Sequence, residues 1–264
     1  THSHAAVRIR DGVGVEPLNL KYYEFVEQQV ANAICQAVEN LAPAEVSYGV
    51  VDVPQFVLGR RWRTEAGANG PNPFGELTDR AWMYAKLANR IESQPLGRSD
   101  PSLSIISLRH VDGTPLAVLG NYSIHYVGGF ERNCVSADYF ACFAQEIEKL
   151  LVPASANSIH PPFVGIMSNG NSGNIAPAQG VRGYDGMRKV GRTLAEAALP
   201  ICKDNAAYSV NPKLAMVEER LELGVRKPDA QRIQWAHDVL AGKWKQKPMH
   251  GWTHTYAANT LTLA

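Results

Sequence analysis

The feature that most constrains the fold is an alternation of short apolar segments with longer amphipathic ones. The apolar segments have the length of strands and lie at 46–53, 103–109, 115–124 and 162–168. The segments with helical periodicity lie at 20–41, 137–151, 184–203 and 228–242. Strands that alternate with helices are typical of an α/β protein. We therefore predict a layered α/β sandwich, a mixed β-sheet with helices packed on it, as a single domain over residues 1–264.

Turn and loop patterns fill in the rest of the chain. Asp112-Gly113 between two apolar runs predicts a β-hairpin. A Gly/Asn/Pro cluster at 67–75 predicts a long loop between Gly59 and Asp100, with a short helix near 78–92. Charged and apolar residues alternate over 213–223, which predicts one more strand.

Charge and composition exclude two classes of function. Lys and Arg total 26 against 25 Asp and Glu, so the net charge is +1, and the basic footprint of a nucleic-acid-binding protein is absent from the sequence. No apolar run approaches the roughly 18 residues that a membrane span needs. We expect no nucleic-acid partner and no transmembrane segment. The cysteines contain no CxxC pair and are predicted to be buried free thiols: Cys35, Cys134, Cys142 and Cys202.

The termini suggest a piece of a longer protein. The chain begins at Thr1 rather than at Met, and it ends at 260–264 within an apolar stretch that is strand-like or helical. We therefore expect sequence on both sides of it.

His2 and His4 are the first candidate site residues. Residues i and i+2 of an extended segment point to the same side, so both imidazoles can reach one metal ion, or one can bind it while the other stands beside it. The alternative is that they are ordinary polar residues near a terminus. His125 follows the apolar run 115–124 and precedes Gly128-Gly129, which is a site-like position, although a histidine there can also be structural.

A Gly/Asn-rich loop at 168–177 follows the last apolar strand. Ligands of open α/β sheets bind beyond the carboxyl ends of strands, and small residues let the backbone approach a substrate. Asn171, Gly173 and Asn174 are therefore candidate substrate-binding residues, unless the loop is a plain turn. Arg60 is a candidate for holding a carboxylate or a developing oxyanion, unless Arg60 to Arg63 form a solvated basic loop.

The order of these motifs resembles the amino-terminal catalytic domain of the neutral/alkaline, non-lysosomal ceramidase family. The resemblance spans nearly the whole chain. Each motif is similar to a family motif: Thr1-His2-Ser3-His4 to Thr-His-Thr-His, Gly59-Arg60-Arg61 to Asn-Arg-Arg or Asn-Arg-Ser, the segment from Asp100-Pro101 to His125 to the family's Asp-Pro to His segment, Ser136-Ala137-Asp138-Tyr139 to Ser-(Gly/Ala)-Asp-(Tyr/Phe), and Gly173-Asn174-Ile175-Ala176-Pro177 to Gly-Asp-Val-Ser-Pro.

This resemblance implies a zinc-dependent hydrolase that cleaves an amide bond, in ceramide or another lipid-like or small-molecule amide. It implies that His2 and His125 are Zn²⁺ ligands, that His4 is an acid–base or hydrogen-bonding partner beside the metal, and that Arg60 holds the anionic intermediate. Zinc would polarise the carbonyl and activate a water molecule. The family resemblance also suggests a secreted or periplasmic location.

Two departures from the family pattern qualify that expectation. The family serine of Gly-Asp-Val-Ser-Pro is Ala176 here, and the aspartate is Asn174. The resemblance also implies a further Glu and Tyr at the metal from sequence beyond residue 264, so we expect the chain on its own to bind metal weakly and to hydrolyse little.

Two alternatives to the hydrolase stay open. The first is a non-catalytic protein of the same fold that serves as a binding module, which Ala176 favours. The second is a metal-free serine hydrolase that uses Ser136 or Ser172 with His125 and Asp138, although no Gly-x-Ser-x-Gly elbow is present.

Overall fold

The computed structural model describes residues 2–6, 20–83, 91–131, 133–153, 161–245 and 249–264. The chain divides into two compact units, the first formed by Thr1–Leu58 and Ser99–Lys213 and the second by Gly59–Arg98 and Leu214–Ala264. The single domain expected over residues 1–264 stays a prediction. None of the helices described is long and apolar enough to cross a membrane.

The helices and strands follow the predicted order along most of the chain. In sequence they are helix α1 (Leu20–Glu39), strands β1 (Ala44–Asp52), β2 (Arg61–Thr64), β3 (Ala81–Met83), β4 (Ile91–Pro95), β5 (Ser102–His110) and β6 (Pro115–Tyr122), helix α2 (Asp138–Leu151), strand β7 (Val164–Asn169), and helices α3 (Gly183–Lys203), α4 (Ala230–Leu240) and α5 (Thr253–Leu263).

The first unit is built on a mixed four-stranded sheet with the order β1-β5-β6-β7. β1, β5 and β6 pair antiparallel, whereas β6 and β7 pair parallel. Helices α2 and α3 pack on one face, and the apolar side chains between them and the sheet form the core of the unit. This confirms the predicted α/β class with a mixed sheet and helices packed on it.

The β5–β6 hairpin confirms the turn predicted at Asp112-Gly113. Gly113 has φ +88, a conformation that costs glycine little because it has no Cβ. The Asp112 carboxylate accepts a hydrogen bond from the Thr114 backbone N–H at 2.8 Å. The turn therefore sets the register in which Leu108 pairs with Ala117 and Ile106 with Leu119.

Glycines allow α2 to lie against both of its neighbours in the first unit. A Cβ on Gly191 of α3 would stand 2.5 Å from Cys142 Cβ and 2.6 Å from the Phe143 backbone nitrogen. A Cβ on Gly165 of β7 would stand 2.7 Å from Cα of Ala144. Because these are backbone or Cβ contacts, side-chain rotation cannot relieve them, and the two helices are fixed at close range.

The opposite face of the sheet is apolar and exposed among the described residues. One cross-strand row runs through all four strands, with exposures of 64, 39, 38 and 48%: Tyr48, Ile106, Leu119 and Ile166. Helix α1 is amphipathic as predicted, but none of its residues is buried, and Val30, Ile34 and Val38 are more than half exposed. The burial predicted for the thiol of Cys35 is therefore wrong, because Cys35 lies on this exposed helix.

The second unit corrects the expectation of a long loop between Gly59 and Asp100. This region contains a three-stranded sheet with the order β3-β2-β4, and 81–83 is a strand rather than part of a helix. The remainder of the expected helix at 84–90 lies outside the described residues. These strands have three to five residues, which is too short for an alternating pattern to be recognised. Helices α4 and α5 pack together around Ala236, Val239 and Ala257.

The strand predicted at 213–223 is wrong. The structure has no regular element over 212–229, and the apolar side chains of Leu214, Met216 and Val217 are 87 to 92% exposed. An alternating pattern makes a strand only when a neighbouring strand is available to pair with it.

Replacing Gly191 with alanine is expected to destabilise the protein by about 1–3 kcal/mol, because the added methyl group must push α2 and α3 apart. In a helix without this obstruction, replacing glycine with alanine would instead raise the free energy of unfolding by about 0.5–1 kcal/mol. Urea unfolding measures the difference. Gly224→Ala is the control, since no heavy atom lies within 4 Å of its added Cβ. A Gly191→Ala protein as stable as the wild type would show that the close helix contact is not a constraint.

Candidate metal site

The parallel pairing of β6 with β7 brings the two central loops of the site together. Tyr122, at the end of β6, pairs with Asn169, at the end of β7. The backbone N–H of Gly170 then donates to the carbonyl of Tyr122 at 2.9 Å. His125 lies three residues beyond the end of β6, so it emerges beside the Gly/Asn-rich loop that follows β7, at the carboxyl edge of the sheet.

His125 is held in one orientation by this loop. Its Nδ1 lies 2.8 Å from the Ser172 backbone carbonyl oxygen, and its exposure is 9%. A carbonyl oxygen can only accept, so Nδ1 carries the proton and Nε2 is the nitrogen left to bind a ligand. Asn169 fixes the backbone of the same segment by donating from Nδ2 to the carbonyl oxygen of Ile124 at 2.9 Å.

His2 and His4 meet His125, but not in the way the sequence predicts. Residues 2–6 are not a strand, and His4 has a left-handed φ of +57. Its Nε2 nevertheless lies 2.7 Å from Nε2 of His2, and its ring stacks on Tyr126 with centroids 4.3 Å apart. The His2 and His125 ring centroids are 4.4 Å apart. The turn at His4, rather than strand alternation, turns both imidazoles toward the end of β6.

Three imidazoles therefore converge on one point. One ring nitrogen from each of His2, His4 and His125 lies within 4.8 Å of the other two, so the group could hold a metal ion. Imidazole nitrogen suits zinc, and two ligand atoms on one tetrahedral zinc ion are about 3.4 Å apart. Small ring rotations cover the difference because His2 and His4 are exposed. The donor set thus fits zinc.

The surrounding contacts do not form a serine-hydrolase triad. The carboxylate of Asp138 accepts hydrogen bonds from the backbone N–H groups of Val127 and Gly128, both at 2.9 Å. His125 Nδ1 bonds to the Ser172 carbonyl instead of to Asp138. From the sequence, Asp138 is named in a family-like motif and as a possible triad member, but no backbone contact is assigned to it, and no part is assigned to Asn169 or Tyr126. Backbone-directed contacts of this kind leave no spacing pattern in the sequence.

The other candidate residues differ in their burial and in their contacts. Asn171 and Gly173 are exposed in the loop after β7, and Asn174 is half-buried. Ala176 is 6% exposed, and its N–H donates to the Leu58 carbonyl oxygen at 2.8 Å. Arg60 belongs to the second unit, where its Nε is buried without a hydrogen-bond partner among the described residues. The catalytic and substrate-binding roles of these residues stay predictions.

The environment of His4 favours its neutral form. Burial lowers the pKa of His4 below its ordinary 6.5, and the neighbouring His125 lowers it further, while the negative charge of Asp138 acts in the opposite direction. A neutral imidazole at neutral pH can accept a proton or bind a metal.

Comparison with known proteins gives only distant structural likeness. No protein-family model matches the chain, and no curated protein matches it in sequence. The solved structures that match include neutral ceramidase from Pseudomonas aeruginosa, with a TM-score of 0.45 and 15% identity over 72% of this chain and 26% of that one. A ceramidase complexed with C2 matches with a TM-score of 0.43 and 15% identity, over 64% of this chain and 24% of that one. The chain therefore spans about a quarter of the length of these ceramidases.

In the metal-free protein, the pKa of His4 is expected to lie below its ordinary 6.5. Folding disfavours the charged imidazole, so the stability that His4 contributes is present above the unfolded pKa and is lost as pH falls through the lowered folded pKa. An NMR titration of the histidine rings measures this. His125→Ala should move the His4 midpoint part of the way back up, because it removes the second cause of the shift. A midpoint at or above 6.5 in the wild type would contradict the partial desolvation of His4 and its closeness to His125.

Proposed function

We propose that the protein is a zinc-dependent hydrolase that cleaves an amide bond. The observation that carries this proposal is the convergence of three imidazoles, from two distant parts of the chain, on one point at the carboxyl edge of the sheet. Catalytic zinc sites combine a small set of protein ligands with an open position for water or substrate. The exposure of His2 and His4 is consistent with such an open position.

Each histidine has a separate part in this proposal. His2 and His125 would hold the ion, and the Nδ1–H of His125 donates to the Ser172 carbonyl, which fixes the ring as second-layer contacts do at zinc sites. His4 lies beside them and, being neutral, would take up a proton from water and pass it to the leaving amine. Zinc, when bound, supplies a Lewis acid for the amide carbonyl and lowers the pKa of water to about 7.

The proposed substrate is an amide of a lipid, of the ceramide type, or a related small molecule. The support is the order of the motifs that resemble neutral ceramidases, from Thr1-His2-Ser3-His4 to Gly173-Asn174-Ile175-Ala176-Pro177. In this proposal Asn171, Gly173 and Asn174 border the substrate, because the small side chains of this loop let the backbone approach it.

A second candidate function is a binding module with the same fold and no hydrolysis. The observation that favours it is Ala176, whose buried methyl group stands where the resembled family has a serine. A methyl group can neither accept nor donate a hydrogen bond, so one polar contact to substrate or to a transition state is lost.

Purified protein dialysed to equilibrium against Zn²⁺ is expected to bind about one zinc ion per chain, measured by elemental analysis of the protein and the dialysate, a method that also detects weakly held metal. His2→Ala/His125→Ala should lose it, because two of the converging nitrogens are removed. The matched control is His110→Ala/His254→Ala, which removes two histidines outside the cluster and should retain zinc. A wild type with no more zinc than the His2/His125 variant would overturn the metal site and the hydrolase with it.

Hydrolysis distinguishes the two candidate functions once zinc is bound. A hydrolase releases amine from N-acyl amides of long and short acyl chains, with a rate that depends on zinc. His4→Ala should keep most of the zinc and lose most of the rate, by roughly 10²–10⁴-fold for the loss of an acid–base group. Stoichiometric zinc with no release of amine would favour the binding module, and loss of zinc from His4→Ala would make His4 a ligand instead.

A further inference from the structure

The turn Ser136–Asp138, just before and at the start of α2, contacts both segments that carry the histidines. The backbone N–H of Ser136 donates to the carbonyl oxygen of Ala5 at 2.9 Å, next to His4. The Asp138 carboxylate accepts from the N–H groups of Val127 and Gly128, which follow His125. No other turn described in the structure is shown bonding to both segments.

Asp138 is held in an unusual conformation to do this. Its φ is +53, in the left-handed region that non-glycine residues seldom occupy, and its exposure is 3%. Its Oδ1 is shared between Val127 N–H and Tyr139 N–H, at 2.9 and 2.7 Å. Ser136 Oγ accepts from Asp138 N–H at 3.0 Å and so stabilises the turn. Strain of this kind persists only where surrounding contacts overdetermine it.

The buried carboxylate of Asp138 is compensated by backbone N–H groups rather than by a cation among the residues described. Its carboxylate forms no ion pair with any residue that the structure describes, and only N–H groups are shown bonding to it. Burying a carboxylate without a cation is costly unless hydrogen bonds or a nearby positive ion compensate.

We propose that Asp138 is a positioning residue of the histidine cluster: with Ser136 it holds the N-terminal segment and the loop after β6 in register, so that His4 and His125 meet. This inference rests on the proposed function, because the metal ion concerned is the one proposed at the histidine cluster. Asp138 touches no ligand nitrogen. It acts through the backbone of Val127 and Gly128.

The test is Asp138→Asn, which keeps the size of the side chain but replaces one acceptor oxygen with an NH₂ group facing a backbone N–H. Zn²⁺ affinity, measured by competition with a chromophoric chelator, should fall about 10- to 100-fold, as for other second-layer partners of metal sites. Hydrogen exchange of the metal-free protein should be faster over residues 125–130 and 2–6. The control is Asp185→Asn, also in the first turn of a helix but 94% exposed, which should change neither.

The outcomes separate this inference from the proposed function. Both proteins are compared at a temperature at which Asp138→Asn is folded. If the wild type binds zinc and Asp138→Asn binds it equally tightly, the inference is overturned and the metal site stands. If the wild type binds no zinc, the proposed function fails, and hydrogen exchange alone decides: faster exchange in both segments supports the positioning role, and unchanged exchange overturns it. Ser136→Ala, which removes only the Oγ contact, should weaken zinc binding in the same direction by a smaller factor.

Discussion

The candidate site depends on the parallel pairing of β6 with β7. In an antiparallel pair the carboxyl ends of the two strands would lie at opposite edges of the sheet. Parallel pairing puts both carboxyl ends at the same edge. His125 and the loop that carries Ser172 then emerge side by side, and the loop carbonyl can fix the imidazole. Helix α2 makes this connection possible, since a parallel pair needs a long crossover between its strands. The same helix begins with Asp138, so one element both joins the strands and contacts the loop beyond β6.

The sequence predicts most of the first unit because its signals there are local. The hairpin at Asp112-Gly113, the periodicity of α2 and α3, and the apolar runs of β1, β5, β6 and β7 can each be recognised within a short window. The second unit is different. Strands of three to five residues and the extended 213–223 segment depend on which neighbour is available to pair, and a single sequence does not specify this.

The histidines could be identified from the sequence, whereas their arrangement could not. The spacing of His2 and His4 indicates two rings near one another, yet the structure achieves this with a left-handed residue at His4 and a stack on Tyr126. The groups that orient the cluster are a carbonyl of Ser172, an amide of Asn169 and the carboxylate of Asp138, all of which act on or through the backbone. Any residue can offer a carbonyl, so no residue type or spacing marks such a contact in advance.

Ala176 bears on the proposed catalysis but not on the proposed metal binding. The contacts that orient His125 and its loop come from Ser172, Asn169 and Asp138, and Ala176 contributes none of them. Its own N–H bonds to Leu58, which ties the loop down through the backbone and is independent of the side chain. In the proposed function, the alanine at this position would lack a hydroxyl near the substrate, while the contacts that orient the histidines do not involve its side chain. The proposed hydrolase and the binding module therefore predict the same histidine geometry, because none of the contacts that fix it involves the Ala176 side chain, and the two proposals differ only in whether a bound amide is cleaved.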